Sequence, residues 1–547
     1  MRGVWEPTHL LTTSAGTKNF AAASALVAKL LDFAATCRLD YATALVAESA
    51  SACPPSVGGE CALGTDVHED RLEDFECLAA AVPRFASMLL APEGDPDPPH
   101  ILTPRSYVEA ITGPYSSLWQ AAMDAKMASR KFTRTYVDAV PPSRANIVDG
   151  MWIFRVKRSP GSPPAFKVRY VARGFSQRQG VDNFQTFSPS PKMTTLRVLL
   201  HVAAQRDYEL HLLDFITAFL EVSLHEEIWL CRPPSFTGSF PAGTQWSLRR
   251  PVYGLYQAPC KWHDTLRTTL AALGFAPSTA DLSLFLRTDT TLPPFYVLVY
   301  VDNLVFSTAD TKALTLVKSE LQNRHNCTDL GPSALRLPVL LATAHSSVYR
   351  PLALSSTFGL VPKRVPRYLC STSGMGLVLG GRGPVVLTGH ADASWADVLT
   401  TQRSSQGYTF SLGSGSVSWR STRLSSVLSS SCEAEIYAGA MGAQELRWLT
   451  YLLIDLGEPP RSPAVLYVEN KAMIALCQEH RLEHTTKHIA LRYFFARELQ
   501  QRGQLRLAYV ATRANTADIF TKALLPGDHQ LFSTVLGLVP LPHLLTT

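Results

Sequence analysis

The chain has 547 residues, which is too long for one hydrophobic core and suggests about three folded units at roughly 150 residues per domain. Apolar residues make up 46% and charged residues 18%, which excludes a wholly disordered or fibrous chain. The formal charge of +6 permits a polyanionic partner without requiring one. The cysteines form no C-x-x-C pair, and no secretory signal or long apolar stretch occurs. We therefore expect an intracellular protein without a membrane span, cytoplasmic or nuclear.

Residues 1–100 are rich in Ala, Ser and Pro and suggest no chemistry. The run Glu93–Pro99 predicts a linker, because each residue before a proline is pushed out of the helical region. We therefore place a boundary near residue 100 and predict a partly disordered spacer before it.

Two segments beyond the linker alternate apolar and basic residues. Met151–Lys157 and Phe166–Arg173 flank a Pro/Gly turn and predict a two-stranded ribbon with one cationic face. Such a face is either a solvated edge, where Lys and Arg prevent aggregation, or a surface that contacts phosphates. Helices are predicted at Ser117–Lys131 and Thr194–Arg206.

Two acidic positions lie at the ends of β-rich runs. Asp214 is near the end of a predicted strand, Glu209–Phe215, and Asp302 follows the apolar run Phe295–Val301, which resumes at 304–306 as the second arm of a hairpin. An Asp at a strand end often only caps a turn or helix. Converging carboxylates would instead suit paired Mg²⁺ ions, which clamp the attacking and leaving oxygens of a phosphoryl displacement.

A second α/β pattern follows residue 365, in the order of an RNase H-like layer: three strands, a helix, then a strand. The predicted strands are 384–388, 407–412, 416–419 and 464–468, and the predicted helices are 432–456 and 470–478. Four acids follow the order of RNase H: Asp392, Glu435, Glu469 and Asp518. Glu433 and Glu435 cannot share a helix face, and we favour Glu435 because it forms an E-x-x-A pattern with Ala438.

The ordered motifs of both halves resemble the Pol region of copia-type long-terminal-repeat retrotransposons, over about residues 102 to 525. In the first half KVRYVARGFSQ (167–177), DFITAFL (214–220), YGLYQAP (253–259) and YVDN (300–303) resemble the family's KARLVARGFSQ, DVxxAFL, LYGLKQAPRxW and YVDD. In the second half HADASW (390–395), SSCEAEIYA (430–438), YVEN (467–470) and TKHI (486–489) resemble DADW, SSxEAEY, YVDN and TKHI.

The resemblance implies an α/β (α+β) chain with right-hand polymerase fingers and palm followed by an RNase H-like domain. The implied segments are 101–330 for fingers and palm, 331–365 for a truncated thumb and connection linker, 366–525 for the RNase H-like domain and 526–547 for a C-terminal tail. The thumb is expected to be truncated because Asp329–Gly331 and Arg367–Leu369, which resemble the family's flanking motifs, lie unusually close together.

The resemblance also implies roles for individual residues. Mg²⁺ or Mn²⁺ would be held in the polymerase by Asp214, Asp302 and Asn303, and in the nuclease by Asp392, Glu435, Glu469 and Asp518. Arg169 would reach the phosphates of a deoxynucleoside triphosphate, Phe219 would crowd a ribose 2′-hydroxyl, and Gln257 would lie beside the template and the nucleotide. An aromatic residue such as Phe219 is otherwise often core packing.

Several departures from the family motifs concern these sites. Asn303 replaces an Asp and removes a negative charge beside a divalent cation, while Glu469 replaces an Asp and lengthens its reach by one methylene. Tyr256 and Cys260 replace basic residues. The expected function is that of a retrotransposon reverse transcriptase with an RNase H domain and an impaired polymerase site. It would act on RNA, DNA and RNA–DNA hybrid. The expected location is the cytoplasm, inside virus-like particles or free, or the nucleus. The alternative is an inactive remnant that at most binds nucleic acid.

Overall fold

The computed structural model describes residues 103–159, 162–234, 240–333, 339–342, 375–381, 384–398, 400–478 and 490–540. The predicted spacer, the flanking motif at 367–369 and the TKHI motif at 486–489 lie outside these ranges. Among the described helices, none is both long enough and apolar enough to cross a membrane.

The predicted cationic ribbon is confirmed. Strands β3 (Gly150–Ser159) and β4 (Ser162–Ala172) pair antiparallel, and helices α1 (Tyr107–Thr112) and α2 (Ser116–Phe132) precede them. One face of the ribbon is apolar and packs on α2, where Trp119 is buried in edge contact with Phe166 at 4.6 Å. The other face exposes basic residues.

A small sheet and a larger one make up the rest of the first half. The small sheet has the order β1-β7-β6-β2, with β1 at Tyr136–Ala139, β2 at Ile147–Val148, β6 at Ile228–Leu230 and β7 at Gln245–Leu248. The larger sheet, which corresponds to the predicted palm, has the order β12-β5-β11-β10-β9-β8. Its strands are β5 (Glu209–Phe215), β8 (Phe275–Pro277), β9 (Leu284–Arg287), β10 (Phe295–Tyr300), β11 (Asn303–Thr308) and β12 (Cys327–Ser333).

The palm sheet is buried on both faces, which explains its nearly continuous apolar strands. Alternate residues of a strand point to opposite faces, so Leu213 and Phe306 join one core while Leu212 and Val305 join another. The first core contains α4 (Ala258–Ala272) and α5 (Thr311–Arg324), and the second contains α3 (Met193–Arg206).

The second half contains a five-stranded sheet of order β17-β16-β15-β18-β19, in which β18 pairs parallel with both of its neighbours. Its strands are β15 (Thr388–Val398), β16 (Arg403–Ser411), β17 (Ser416–Arg423), β18 (Ala464–Val468) and β19 (Leu505–Tyr509), and its helices are α6 (Ser431–Asp455), α7 (Lys471–Gln478) and α8 (Ala490–Gln501). The predicted order of three strands, a helix and a strand is confirmed, and with it an α/β fold of polymerase and RNase H-like parts.

One predicted strand is wrong. The sequence predicts a strand at 384–388, whereas β15 begins at Thr388 and continues to Val398. Asp392 therefore lies inside a strand and not after one. The apolar run at 384–387 precedes the sheet. The segment that pairs with β16 is the following one, which is rich in small and polar residues and places Asp392 opposite Gly407.

Residues 526–540, which the sequence prediction assigns to a tail, form a helix and a strand. Helix α9 (Pro526–Val535) leads to β20 (Leu538–Pro540), which pairs with β14 (Met375–Leu379), and β14 also pairs with β13 (Val339–Ala342). Strand β20 is thus attached to the segment that precedes the RNase H-like sheet.

The two halves pack directly on each other. The Asp455 carboxylate, at the end of α6, accepts hydrogen bonds from the Ser278 hydroxyl at 2.5 Å and the Thr279 amide at 2.9 Å. The Trp448 indole donates to the Ala280 carbonyl at 2.8 Å, and the Arg197 guanidinium lies 3.8 Å over the Trp419 ring. Apolar residues of α3 share one core with the RNase H-like sheet.

Candidate active sites

The tip of the palm hairpin carries the first candidate centre. Asn303 lies directly opposite Asp214 across β11 and β5, and Asp302 occupies the tight turn before it, where its carbonyl accepts the Phe215 amide at 2.7 Å. Val301 has φ +55°, a conformation that β-branched residues rarely adopt. The sheet therefore brings Asp214, Asp302 and Asn303 together, as the sequence predicts.

The electrostatics of this tip show two acids in proximity. Burial, together with repulsion by Asp214, raises the pKa of Asp302 to about 6. The Asn303 side-chain amide donates to Asp302 Oδ1 at 3.1 Å, so the position where the family motif has a second Asp supplies a donor toward the neighbouring carboxylate. A divalent cation would find one negative charge fewer here than at a three-acid centre.

Arg169 lies on the exposed face of β4, and its charge lowers the pKa of nearby Asp302, against the larger effects that raise it. Its guanidinium lies 5.2 Å over the ring of Tyr253, and the same ring packs at 4.7 Å from Phe219. Gly254, with φ +92°, allows this loop to approach β4, because a Cβ there would lie 1.9 Å from the Ala172 carbonyl oxygen. Tyr253 thus connects Arg169 and Phe219, two of the three predicted nucleotide-binding residues, a role that the sequence did not suggest.

Phe219 and Gln257 are both buried, which bears on their predicted roles. Phe219 is 5% exposed and packs in the core next to the site, so the core-packing alternative describes its present contacts. Gln257 is 1% exposed; its side chain donates to the Asp182 carbonyl at 2.9 Å and accepts from Gln177 at 3.0 Å. Its contacts are therefore internal, and they anchor the loop around Asp182.

The second centre gathers acids from three separate elements. Asp392 lies in the middle of β15, Glu469 follows β18, and Asp518 lies in the 3₁₀ turn Thr516–Phe520. One carboxylate oxygen from each of these three residues lies within 4.8 Å of the others, which is the only such acidic or His/Cys group of three or more in the described ranges.

Glu435, on α6, lies beside this group of three and interacts with it electrostatically. Burial, followed by repulsion from Asp392 and Glu469, raises its pKa to about 8, and its Oε2 is buried without a hydrogen-bond partner. Glu433 faces elsewhere: its carboxylate accepts from the Ser429 amide and hydroxyl at 2.8 Å and caps the helix. The structure thus separates the two glutamates as the helical spacing predicts.

The longer side chain of Glu469 is held by two hydrogen bonds. Asn515 donates to Oε1 at 3.1 Å, and the Thr512 hydroxyl donates to Oε2 at 2.9 Å. With both oxygens hydrogen-bonded in this way, Glu469 still brings one of them within 4.8 Å of Asp392 and Asp518.

Two residues that the sequence prediction missed shape the centre. Gly407, opposite Asp392, lies so close to the 3₁₀ turn that a Cβ there would be 2.7 Å from Phe520 Cβ. Lys522 places its ammonium among the acids, 2.9 Å from Asp518 and 3.1 Å from Asp392. The position of Lys522 four residues after Asp518 was the available signal.

The chain is similar to one known protein family and to several curated proteins. The sequence model of the family "Reverse transcriptase (RNA-dependent DNA polymerase)" matches residues 133–347. The Retrovirus-related Pol polyprotein from transposon RE2 of Arabidopsis thaliana is 31% identical, over 80% of this chain and 35% of the relative. This chain is thus similar, over four fifths of its length, to the Pol polyproteins of copia-type retrotransposons. A second Pol relative, from transposon TNT 1-94 of Nicotiana tabacum, is 25% identical over 80% of this chain and 39% of its own length.

The present chain spans about a third of the length of these curated relatives. Among solved structures, the foamy viral protease-reverse transcriptase in complex with dsDNA aligns with 84% of this chain and 99% of its own, at 12% identity and a TM-score of 0.40.

Proposed function

We propose that this Pol chain is a divalent-metal-dependent nuclease for the RNA strand of an RNA–DNA hybrid, joined to a reverse transcriptase palm whose own metal centre is weakened. The observation that supports the nuclease is the group formed by Asp392, Glu469 and Asp518, with oxygens within 4.8 Å of one another. Hard oxygen donors of this kind are the ligands that Mg²⁺ and Mn²⁺ prefer.

The remaining donor at this centre also fits a metal. Glu435 presents a buried oxygen without a hydrogen-bond partner, which an incoming cation would satisfy. When bound, the ions would activate a water molecule and neutralise charge on the scissile phosphate. Asn515 and Thr512 orient Glu469, and the Thr521 hydroxyl donates to Asp392, so the ligands are held in place by neighbouring groups.

In the palm, Asp214 and Asp302 would hold the metals for polymerisation from deoxynucleoside triphosphates, with Asn303 as a neutral third ligand. Exposed Arg155, Lys167 and Arg169 form a basic face on the ribbon that fits backbone phosphates. This face also supports the second candidate, an inactive remnant that binds RNA, DNA or hybrid without turnover.

The test of the nuclease uses the full chain and a labelled RNA–DNA hybrid with Mg²⁺ or Mn²⁺. We expect the wild-type chain to cut the RNA strand, and Asp392→Asn to abolish cutting while hybrid binding at low salt persists. Binding without cutting by the wild-type chain in either metal would favour the remnant. Absence of both would refute both candidates.

A further inference from the structure

Lys522 is the cation of the nuclease centre in this structure. Its ammonium lies 2.9 Å from an oxygen of Asp518, 3.1 Å from one of Asp392 and 3.7 Å from one of Glu469. These are the same three residues whose oxygens are close enough to hold a metal ion. A lysine ammonium and a divalent cation would therefore compete for one set of carboxylates.

The surroundings of Lys522 allow it to leave. Its side chain is 32% exposed, whereas that of Asp392 is fully buried and that of Glu469 is 17% exposed, so the lysine is the most exposed member of the group. A divalent ion held by the same carboxylates would repel the nearby ammonium, because both carry positive charge.

We propose that Lys522 is an internal counter-ion of the nuclease centre, which holds the carboxylates together before metal binds and swings outward when a divalent ion enters. This inference rests on the proposed nuclease site. Because each metal ion must displace a positive charge, Lys522 weakens metal binding, and because it screens clustered acids, it stabilises the metal-free protein.

Two opposite effects follow from removing the charge. We expect Lys522→Met to bind Mn²⁺ about tenfold more tightly than the wild type, since the competing charge is gone. In EDTA the same variant should unfold at a lower temperature, because Asp392, Glu469 and Asp518 then repel without a counter-ion. A side chain that only fills space would change stability without tightening metal binding.

The experiment measures Mn²⁺ binding by calorimetry and thermal unfolding in EDTA, using the full chain with Asp302→Asn as background so that the palm contributes little. Lys522→Gln tests the same loss of charge with a side chain that can still donate a hydrogen bond, and Lys522→Arg should keep the wild-type affinity within about threefold. Lys471→Met is the matched control. It removes a lysine charge in the same way, but the Lys471 ammonium contacts an aromatic ring, lying 4.6 Å over Tyr509.

Mn²⁺ affinity that is unchanged or weaker in both Lys522→Met and Lys522→Gln would overturn the inference. The outcome is separable from that of the nuclease, because binding is measured without substrate. Tighter binding in a chain that cuts no hybrid would support the role of Lys522 and refute the nuclease. If the wild type cuts the hybrid and the variants bind Mn²⁺ with unchanged affinity, the nuclease is supported and the role of Lys522 is refuted.

Discussion

The two acidic centres of this chain differ in how many negative charges they bring together. The palm hairpin brings together two acids and one amide, whereas the RNase H-like half brings together four acids and a lysine. Both centres lie where strands end or pair, so the folds are intact in both places. Both backbones bring acidic side chains together, and the two centres differ in how many of those side chains carry a negative charge.

The largest expected effect comes from removing the carboxylate of Glu435 at the proposed nuclease centre. Glu435→Gln should reduce hybrid cleavage about a hundredfold or more, because it removes a charge from the metal site. Glu433→Ala is the matched control on the same helix; it should lose only a helix cap, about 1 kcal/mol of unfolding free energy, with cleavage retained. Equal losses of cleavage in both variants would refute the assignment of Glu435.

Glu435→Gln should also change how the stability of the metal-free protein depends on pH. The pKa of Glu435 is raised to about 8 by burial, so the folded chain keeps a proton that the unfolded chain has already lost above its ordinary pKa. The wild type should therefore lose stability between about pH 5 and pH 8 relative to the variant. Denaturation in EDTA at both pH values checks this, and a constant difference would contradict it.

Removing a contact between the two halves should have the next largest effect, on the free energy of unfolding. Asp455→Ala removes the acceptor for Ser278, Thr279 and Ala280, and should cost about 2 kcal/mol of unfolding free energy. Glu498→Ala, which breaks the exposed pair with Arg502, should change it by less than about 0.5 kcal/mol. Urea denaturation checks both, and a neutral Asp455→Ala would show that the halves do not depend on this contact.

A smaller effect should appear when the palm regains its missing charge. Asn303→Asp adds a carboxylate opposite Asp214 and should increase primer extension about tenfold in Mg²⁺ or Mn²⁺. The same change should leave hybrid cleavage unaltered, which makes cleavage the internal control. If extension stays absent after the substitution, the missing charge at Asn303 is not what limits the polymerase.

The smallest effect concerns packing at the nuclease. Gly407→Ala should cost about 1 kcal/mol of unfolding free energy and lower cleavage, because the new Cβ would press on Phe520 and displace the turn that carries Asp518. Gly527→Ala, where no atom lies within 4 Å of the added Cβ, should be close to neutral. Thermal unfolding of both variants checks this, and equal costs would contradict the close approach at Gly407.

The sequence predicted much of this fold because the apolar period is clear in its strands. The predicted strands 209–215 and 464–468 coincide with β5 and β18. Strand β15 was misplaced because its buried residues are small and polar, so no apolar alternation marks it. The convergence of Asp214 with Asp302 followed from the hairpin pattern, whereas Lys522 and Gly407 depend on tertiary packing between the 3₁₀ turn and the sheet, which spacing alone does not reveal.

The difference between the two centres is tested most directly by assaying one wild-type preparation of the full chain for both activities in the same Mg²⁺ or Mn²⁺ buffer. We predict that it cuts the RNA strand of a hybrid and extends a primer weakly or not at all. Efficient extension together with an intact hybrid would contradict the assignment of the more complete metal centre to Asp392, Glu435, Glu469 and Asp518.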